Sequence, residues 1–142
     1  EDNGLEYGDL HLEITESAYT EDAELIVETV KALRKVGFVI EMDDFGSGYS
    51  SLNMLSTLPF DMLKLDMMFI RNAFSPTGDT KMLKVIIDIS DAMQVPMIAE
   101  GVETAEQLAA LRELGCEIVQ GYYFSRPVPA PEFEPFLAEK AE

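Results

Sequence analysis

The sequence predicts an α/β fold, part of a TIM-like (β/α) barrel in which about five parallel strands alternate with helices. Three observations lead there. Short runs rich in branched residues are separated by amphipathic helical stretches, the pattern of parallel βαβ units. Turn and cap residues punctuate the chain where each unit must end. Polar side chains gather at the C-terminal ends of the strands: Glu13, Asp43, Lys64, Glu100 and Gln120, each preceded by an apolar neighbour that points the other way (Leu12, Met42, Leu63, Ala99, Val119). Five such strands can form an open doubly wound sheet or part of a barrel. A barrel aims all five polar side chains at one mouth, where barrel enzymes keep their chemistry.

Residues 10–15 alternate and are rich in branched side chains, which predicts the first strand. Thr20 is positioned to cap a helix with an acidic first turn, Glu21 and Asp22, and an apolar stripe of Ala23, Ile26, Val27, Val30 and Leu33; Gly37 ends it. Residues 38–42 form the second strand, followed by a Gly-Ser loop and a helical stretch over 52–58 that Pro59 closes. Met62–Leu65 is the third strand, and a loop containing Ser75-Pro76-Thr77-Gly78 leads to a helix with Met82, Ile86, Ile89 and Met93 on one face. The fourth strand is 97–99. Thr104 and Gln107 then make a capping box before Leu108, Leu111 and Leu114, with Gly115 as the stop. The fifth strand, 117–119, runs into Tyr122-Tyr123-Phe124 and a Pro-rich close with a short helix over 131–138.

The 142 residues are enough for one domain, and 47% hydrophobic content with a mean hydropathy of +0.03 supports a packed core. No apolar run reaches the roughly 18 residues of a membrane span, so no membrane contact is expected from this chain. Its opening, Glu1-Asp2-Asn3-Gly4, reads as the start of an excised piece without a targeting segment. Cys116 has no second cysteine to pair with, which fits a reducing cytoplasm; anchoring of a parent protein through upstream segments is left open. A net charge of −17 excludes the basic footprint of a duplex nucleic-acid binder. A small phosphorylated ligand is compatible if cations neutralise the carboxylates around it.

Asp43 and Asp44 stand side by side directly after a strand, ahead of Phe45-Gly46-Ser47-Gly48. Adjacent carboxylates repel unless protons or cations compensate them, and hard divalent ions take such oxygen ligands. Alone, the pair is more often a solvated acidic turn; the company of Glu13, Lys64, Glu100, Glu103 and Gln120 from four other elements favours a functional site. Each has a plainer explanation. Glu13 is otherwise the polar half of an amphipathic strand, and Glu16 a capping or surface acid. Lys64 otherwise snorkels or pairs with Asp66; in a site it orients a water or stabilises phosphoryl charge. Glu100 and Glu103 flank Gly101-Val102, so one can act while the other pins a loop. Gln120 is otherwise structural, and His11 is assigned no role. No P-loop or dinucleotide glycine fingerprint is present.

The segments LEITES (12–17), DDFGSGYSSL (43–52), KLD (64–66), AEGVE (99–103) and QGYYFSRPVP (120–129) resemble those of the EAL-type cyclic-di-GMP phosphodiesterases, in the same order and register. The resemblance covers nearly the whole chain but only the C-terminal half of the family's barrel domain, so 1–142 is expected to be that half, with the Glu-Ala-Leu segment and a metal-binding Asn strand absent. It implies that Glu13, Asp43, Asp44 and Glu100 match the ligands of a two-cation site for magnesium or manganese, Asp43 bridging. It implies that Lys64 positions the attacking water, that Glu100 is also a general-base candidate and that Gln120 lines the site. Glu103 matches the glutamate holding the loop after the aspartates. Ser47 stands where Thr is commoner, keeping the hydroxyl.

The implied activity is metal-dependent hydrolysis of cyclic-di-GMP to linear pGpG by the intact domain. Loss of two ligands and of a phosphate-contacting arginine predicts an inactive isolated chain. Half a barrel leaves two unpaired edges and an apolar inner wall, which predicts a homo-oligomer. The competing expectation is a non-catalytic module for nucleotide binding or dimerisation, from a degenerate EAL domain.

Overall fold

The computed structural model describes residues 4–46 and 52–138. After a single 3-10 turn at Tyr7–Asp9 the elements run β1 (His11–Thr15), α1 (Glu16–Glu21), α2 (Ala23–Val36), β2 (Val39–Phe45), α3 (Leu52–Thr57), β3 (Met62–Leu65), α4 (Met67–Ala73), α5 (Lys81–Met93), β4 (Met97–Glu100), α6 (Ala105–Leu114), β5 (Ile118–Gln120) and α7 (Ala130–Ala138). The strands lie side by side in chain order and every pair is parallel, as a succession of βαβ crossovers requires. β1 and β5 are the edges of this open five-stranded sheet. Among the described residues no helix is long and apolar enough to cross a membrane.

Strand parity divides the sheet into two chemically distinct faces. Ile40, Met42, Leu63, Leu65, Met97 and Ala99 are buried in one cluster with Val30 of α2, Met54 and Leu55 of α3, Ile70 of α4, Leu83, Ile86 and Ile87 of α5, and Leu108 and Leu111 of α6. Burying each large side chain is worth about 1.5–3 kcal/mol, so this helix-covered face holds the fold. The other face carries His11, Glu13, Glu41, Asp43, Lys64, Glu100 and Gln120 among Met62, Ile98 and Ile118. An apolar inner wall is therefore not what the strands present.

Several local expectations are corrected. Thr20 is no cap: Thr15 caps a separate α1, its Oγ1 accepting from Ala18 N at 3.4 Å, while Asp22 caps α2 by accepting from Leu25 N at 3.1 Å. Thr20 is exposed within α1, its hydroxyl donating back to Glu16 O one turn earlier. Glu16 is buried instead of lying on the surface. α4 replaces an expected loop because Asp66 Oδ1 caps it, accepting from Met68 N at 2.8 Å, and so does not pair with Lys64. On α5 the buried face is Leu83, Ile86, Ile87 and Ser90; Met82 is 60% and Met93 36% exposed, so the apolar stripe is rotated from the expected one. β2 runs on through Asp43 and Asp44 instead of stopping before them. The capping box of Thr104 and Gln107 and the left-handed stop at Gly115 form as expected.

Candidate active site

Four strands deliver the site. Lys64 leaves β3 with its side chain 9% exposed, and its Nζ donates to Glu13 Oε1 of β1 at 2.5 Å. The same ammonium lies 2.9 Å from Glu100 Oε1 of β4 and 3.2 Å from Asp43 Oδ1 of β2. Burial works to lower the lysine's pKa, but the Glu13, Glu100 and Asp43 carboxylates outweigh it and hold the group firmly protonated. Three carboxylates around one ammonium leave an excess of negative charge. Asp43 Oδ1 is buried and, despite the ammonium nearby, receives no well-directed hydrogen bond.

Asp44 follows at φ 57°, in the left-handed region that a short Asp side chain tolerates, and the β2–β3 register shifts between Met42 and Phe45. Two neighbouring acids therefore avoid strict alternation. Burial, then the charges of Asp43, Asp66 and Glu13, raise the Asp44 pKa; Lys64 opposes them. Among the described residues no three His, Cys, Asp or Glu side chains form a cage around one point, since Lys64 stands between the carboxylates. The loop containing Ser47 and Gly48 lies outside the described residues.

Glu103 and Gln120 sit beside this cluster. Glu103 Oε1 accepts from Arg71 Nη2 of α4 at 2.7 Å. Gln120 pairs in register with Glu100, and both line a rim cavity of about 330 Å³ with Arg71, Glu103 and Tyr122. The backbone of Gln120 also closes the strand end, its carbonyl accepting from Val102 N at 3.1 Å. Gly121 is needed there because a Cβ would stand 2.1 Å from Val102 O.

The expected residues thus separate into a cluster of Glu13, Asp43, Glu100 and Lys64, an adjoining Asp44, and a neighbouring pair, Glu103 and Gln120. The sequence reading passed over Glu41, buried at 6% and two residues before Asp43, whose Oε1 lies 2.5 Å from His11 Nδ1. Its parity with Asp43 was the available signal.

A family model described as the EAL domain matches residues 1–127. The cyclic di-GMP phosphodiesterase NbdA of Pseudomonas aeruginosa is 43% identical over 137 residues, which is 96% of this chain and 18% of that protein. The PaMucR phosphodiesterase in complex with c-di-GMP superposes with a TM-score of 0.86 at 37% identity, covering 93% of this chain and 53% of that one. The manganese and cyclic-di-GMP complex of Klebsiella pneumoniae BlrP1 gives 0.82 at 30% identity, over 89% and 32%. The chain therefore spans 18% of that curated relative's length and about half of the PaMucR structure, and its five parallel strands with alternating helices match EAL barrels. With the family model matching residues 1–127, the chain belongs to the EAL domain family.

Proposed function

We propose that residues 1–142 are the C-terminal half of an EAL domain that hydrolyses cyclic-di-GMP to linear pGpG with divalent cations. The observation that carries this reading is the convergence of Glu13, Asp43 and Glu100 on Lys64 at one end of the sheet. Relatives described as cyclic di-GMP phosphodiesterases, and a manganese and cyclic-di-GMP complex of a similar structure, support the substrate and the metal.

The residues fit magnesium or manganese. Every candidate donor is a hard carboxylate oxygen, and Asp43 Oδ1 is a buried acceptor without a donor of its own. Glu13, Asp43, Asp44 and Glu100 would hold the ions. When bound, such ions supply Lewis acidity for an in-line displacement at phosphorus. Lys64 orients the attacking water and offsets charge on the phosphoryl oxygens, and Glu100 is the base that accepts the water's proton. Gln120 lines the substrate's path, and Glu103 steadies the loop after Asp44. Cys116, buried and unpaired, suits a reducing cytoplasm.

The isolated chain is inactive on this reading, because the sheet is open at β1 and β5 and the displacement needs a complete cation site. The same open edges favour self-association, now without help from an apolar inner wall. Manganese-dependent hydrolysis, followed chromatographically as pGpG, is expected for the full-length protein carrying this sequence and absent for residues 1–142 alone. Binding of cyclic-di-GMP without cleavage by the full-length protein would make this a nucleotide-binding module instead. Sedimentation of residues 1–142 as a compact monomer at micromolar concentration would remove the oligomer.

A further inference from the structure

Glu41 is a buried acid on the polar face to which the cation chemistry gives no part. Its register partner on β1 is Glu13, an acceptor like itself, and on β3 it is Met62, which has no hydrogen to donate. A buried carboxylate still has to be satisfied. Two donors on this face come near: His11, two residues before Glu13, and Lys64, two residues after Met62. With strands roughly 4.8 Å apart and a two-residue step of about 6.6 Å, each lies about 8 Å away along a diagonal, within reach of these side chains. They pull in opposite directions. His11 draws the carboxylate toward the start of the strands, whereas Lys64 would draw it up among Glu13, Asp43 and Glu100.

The first arrangement is the one adopted. His11 Nδ1 lies 2.5 Å from Glu41 Oε1, and among the described residues the carboxylates paired with the Lys64 ammonium are Glu13, Asp43 and Glu100. An ionised carboxylate only accepts, so the ring nitrogen carries the hydrogen between them. Resting on the cation-dependent reading above, we infer that His11 is a positioning residue for the hydrolysis: it holds Glu41 away from Lys64 and keeps a further carboxylate out of the cation site. His11 acts through Glu41 and touches neither the ions nor the substrate. Without this tether Glu41 turns to its other donor, displaces Glu13 from the ammonium and adds negative charge where the cations sit. Cations then bind more tightly, because affinity follows the charge of the ligand set, and the ammonium is drawn inward from the water it orients.

The test uses the full-length protein as wild type, His11→Ala, His11→Asn, Glu41→Gln and the double variant His11→Ala/Glu41→Gln. Manganese affinity is read without substrate from the free-ion paramagnetic resonance signal, and kcat and KM are read from cyclic-di-GMP hydrolysis. His11→Ala is expected to bind manganese at least about threefold more tightly and to lose at least about tenfold in kcat with KM near wild type. His11→Asn, whose amide nitrogen takes the place of Nδ1, stays within about twofold of wild type, as does Glu41→Gln. The double variant returns both affinity and kcat to about the wild-type level, since there is no longer a charge to tether. A merely structural role lowers the folded fraction and cannot tighten manganese binding. Unchanged manganese affinity in His11→Ala, a loss of kcat that Glu41→Gln does not reverse, or a His11→Asn as impaired as His11→Ala would each overturn the assignment. So would a His11→Ala that fails to fold while the double variant folds, because Glu41 would then have no second donor to turn to. A wild type that binds no manganese or leaves cyclic-di-GMP intact would overturn the functional reading itself, a result distinct from the others.

Discussion

The two ends of the parallel sheet treat their acids differently. At the end where β2 and β3 begin, Asp61 is fully employed: Oδ1 accepts from Arg34 Nη2 at 2.6 Å, and Oδ2 from Arg34 Nε at 3.2 Å and from Ile40 N at 3.0 Å. Nearby, the Ser90 hydroxyl donates to Val95 O and Cys116 is buried between β4 and β5. At the other end, three carboxylates share one ammonium, Asp43 Oδ1 has no directed donor and Asp44 sits in left-handed backbone. The satisfied end fastens crossovers to strands. The under-satisfied end stores electrostatic demand that a ligand can meet, which is the division of labour of barrel folds.

The sharpest way to break this contrast is Lys64→Met. It leaves Glu13, Asp43 and Glu100 facing one another, so cyclic-di-GMP hydrolysis by the full-length protein should fall by about 10²–10³-fold. Thermal stability without metal should drop too, and manganese should restore more of it than it adds to wild type, as scanning fluorimetry would show. Unchanged turnover would remove Lys64 from the site. At the opposite end Asp61→Ala should do the reverse: a loss of about 1–2 kcal/mol in urea unfolding, discounted for the half-exposed Arg34, with manganese affinity untouched.

A smaller effect comes from Cys116. Burial raises its thiol pKa, so the folded state keeps the proton where the unfolded chain releases it. The associated stability is therefore complete below the unfolded thiol's pKa of about 8.5 and declines as pH rises beyond it. Native protein at pH 8 should resist a thiol reagent and react fully in urea; brisk native reaction would mean that this end opens readily.

The acidic end of this contrast was legible in the residues; Asp61 and Ser90 at the other end were not. Short runs between helical stretches and turn signals located all five strands, and parity put Glu13, Asp43, Lys64 and Glu100 on one face, because a period of two survives whatever packs on either side. Local competition hid the rest. Thr15, Thr20 and Asp22 all qualify as caps, and only tertiary packing decides that the first and third are used. Met67-Met68-Phe69-Ile70 is a continuous apolar run with no period to distinguish helix from loop, so α4 went unseen, and Arg71 with it. On α5 apolar residues occupy two adjoining stripes, and the neighbouring strands select the one through Leu83 and Ile87. The backbone turn at Asp44 leaves no trace in composition.

Anomalous diffraction from crystals of the full-length protein grown with manganese tests the central claim most directly. The account predicts manganese peaks bounded by carboxylate oxygens of Glu13, Asp43, Asp44 and Glu100, with Lys64 Nζ drawn away from at least one of its present partners. Crystals saturated with manganese elsewhere, with Lys64 still clasped by all three carboxylates, would contradict it.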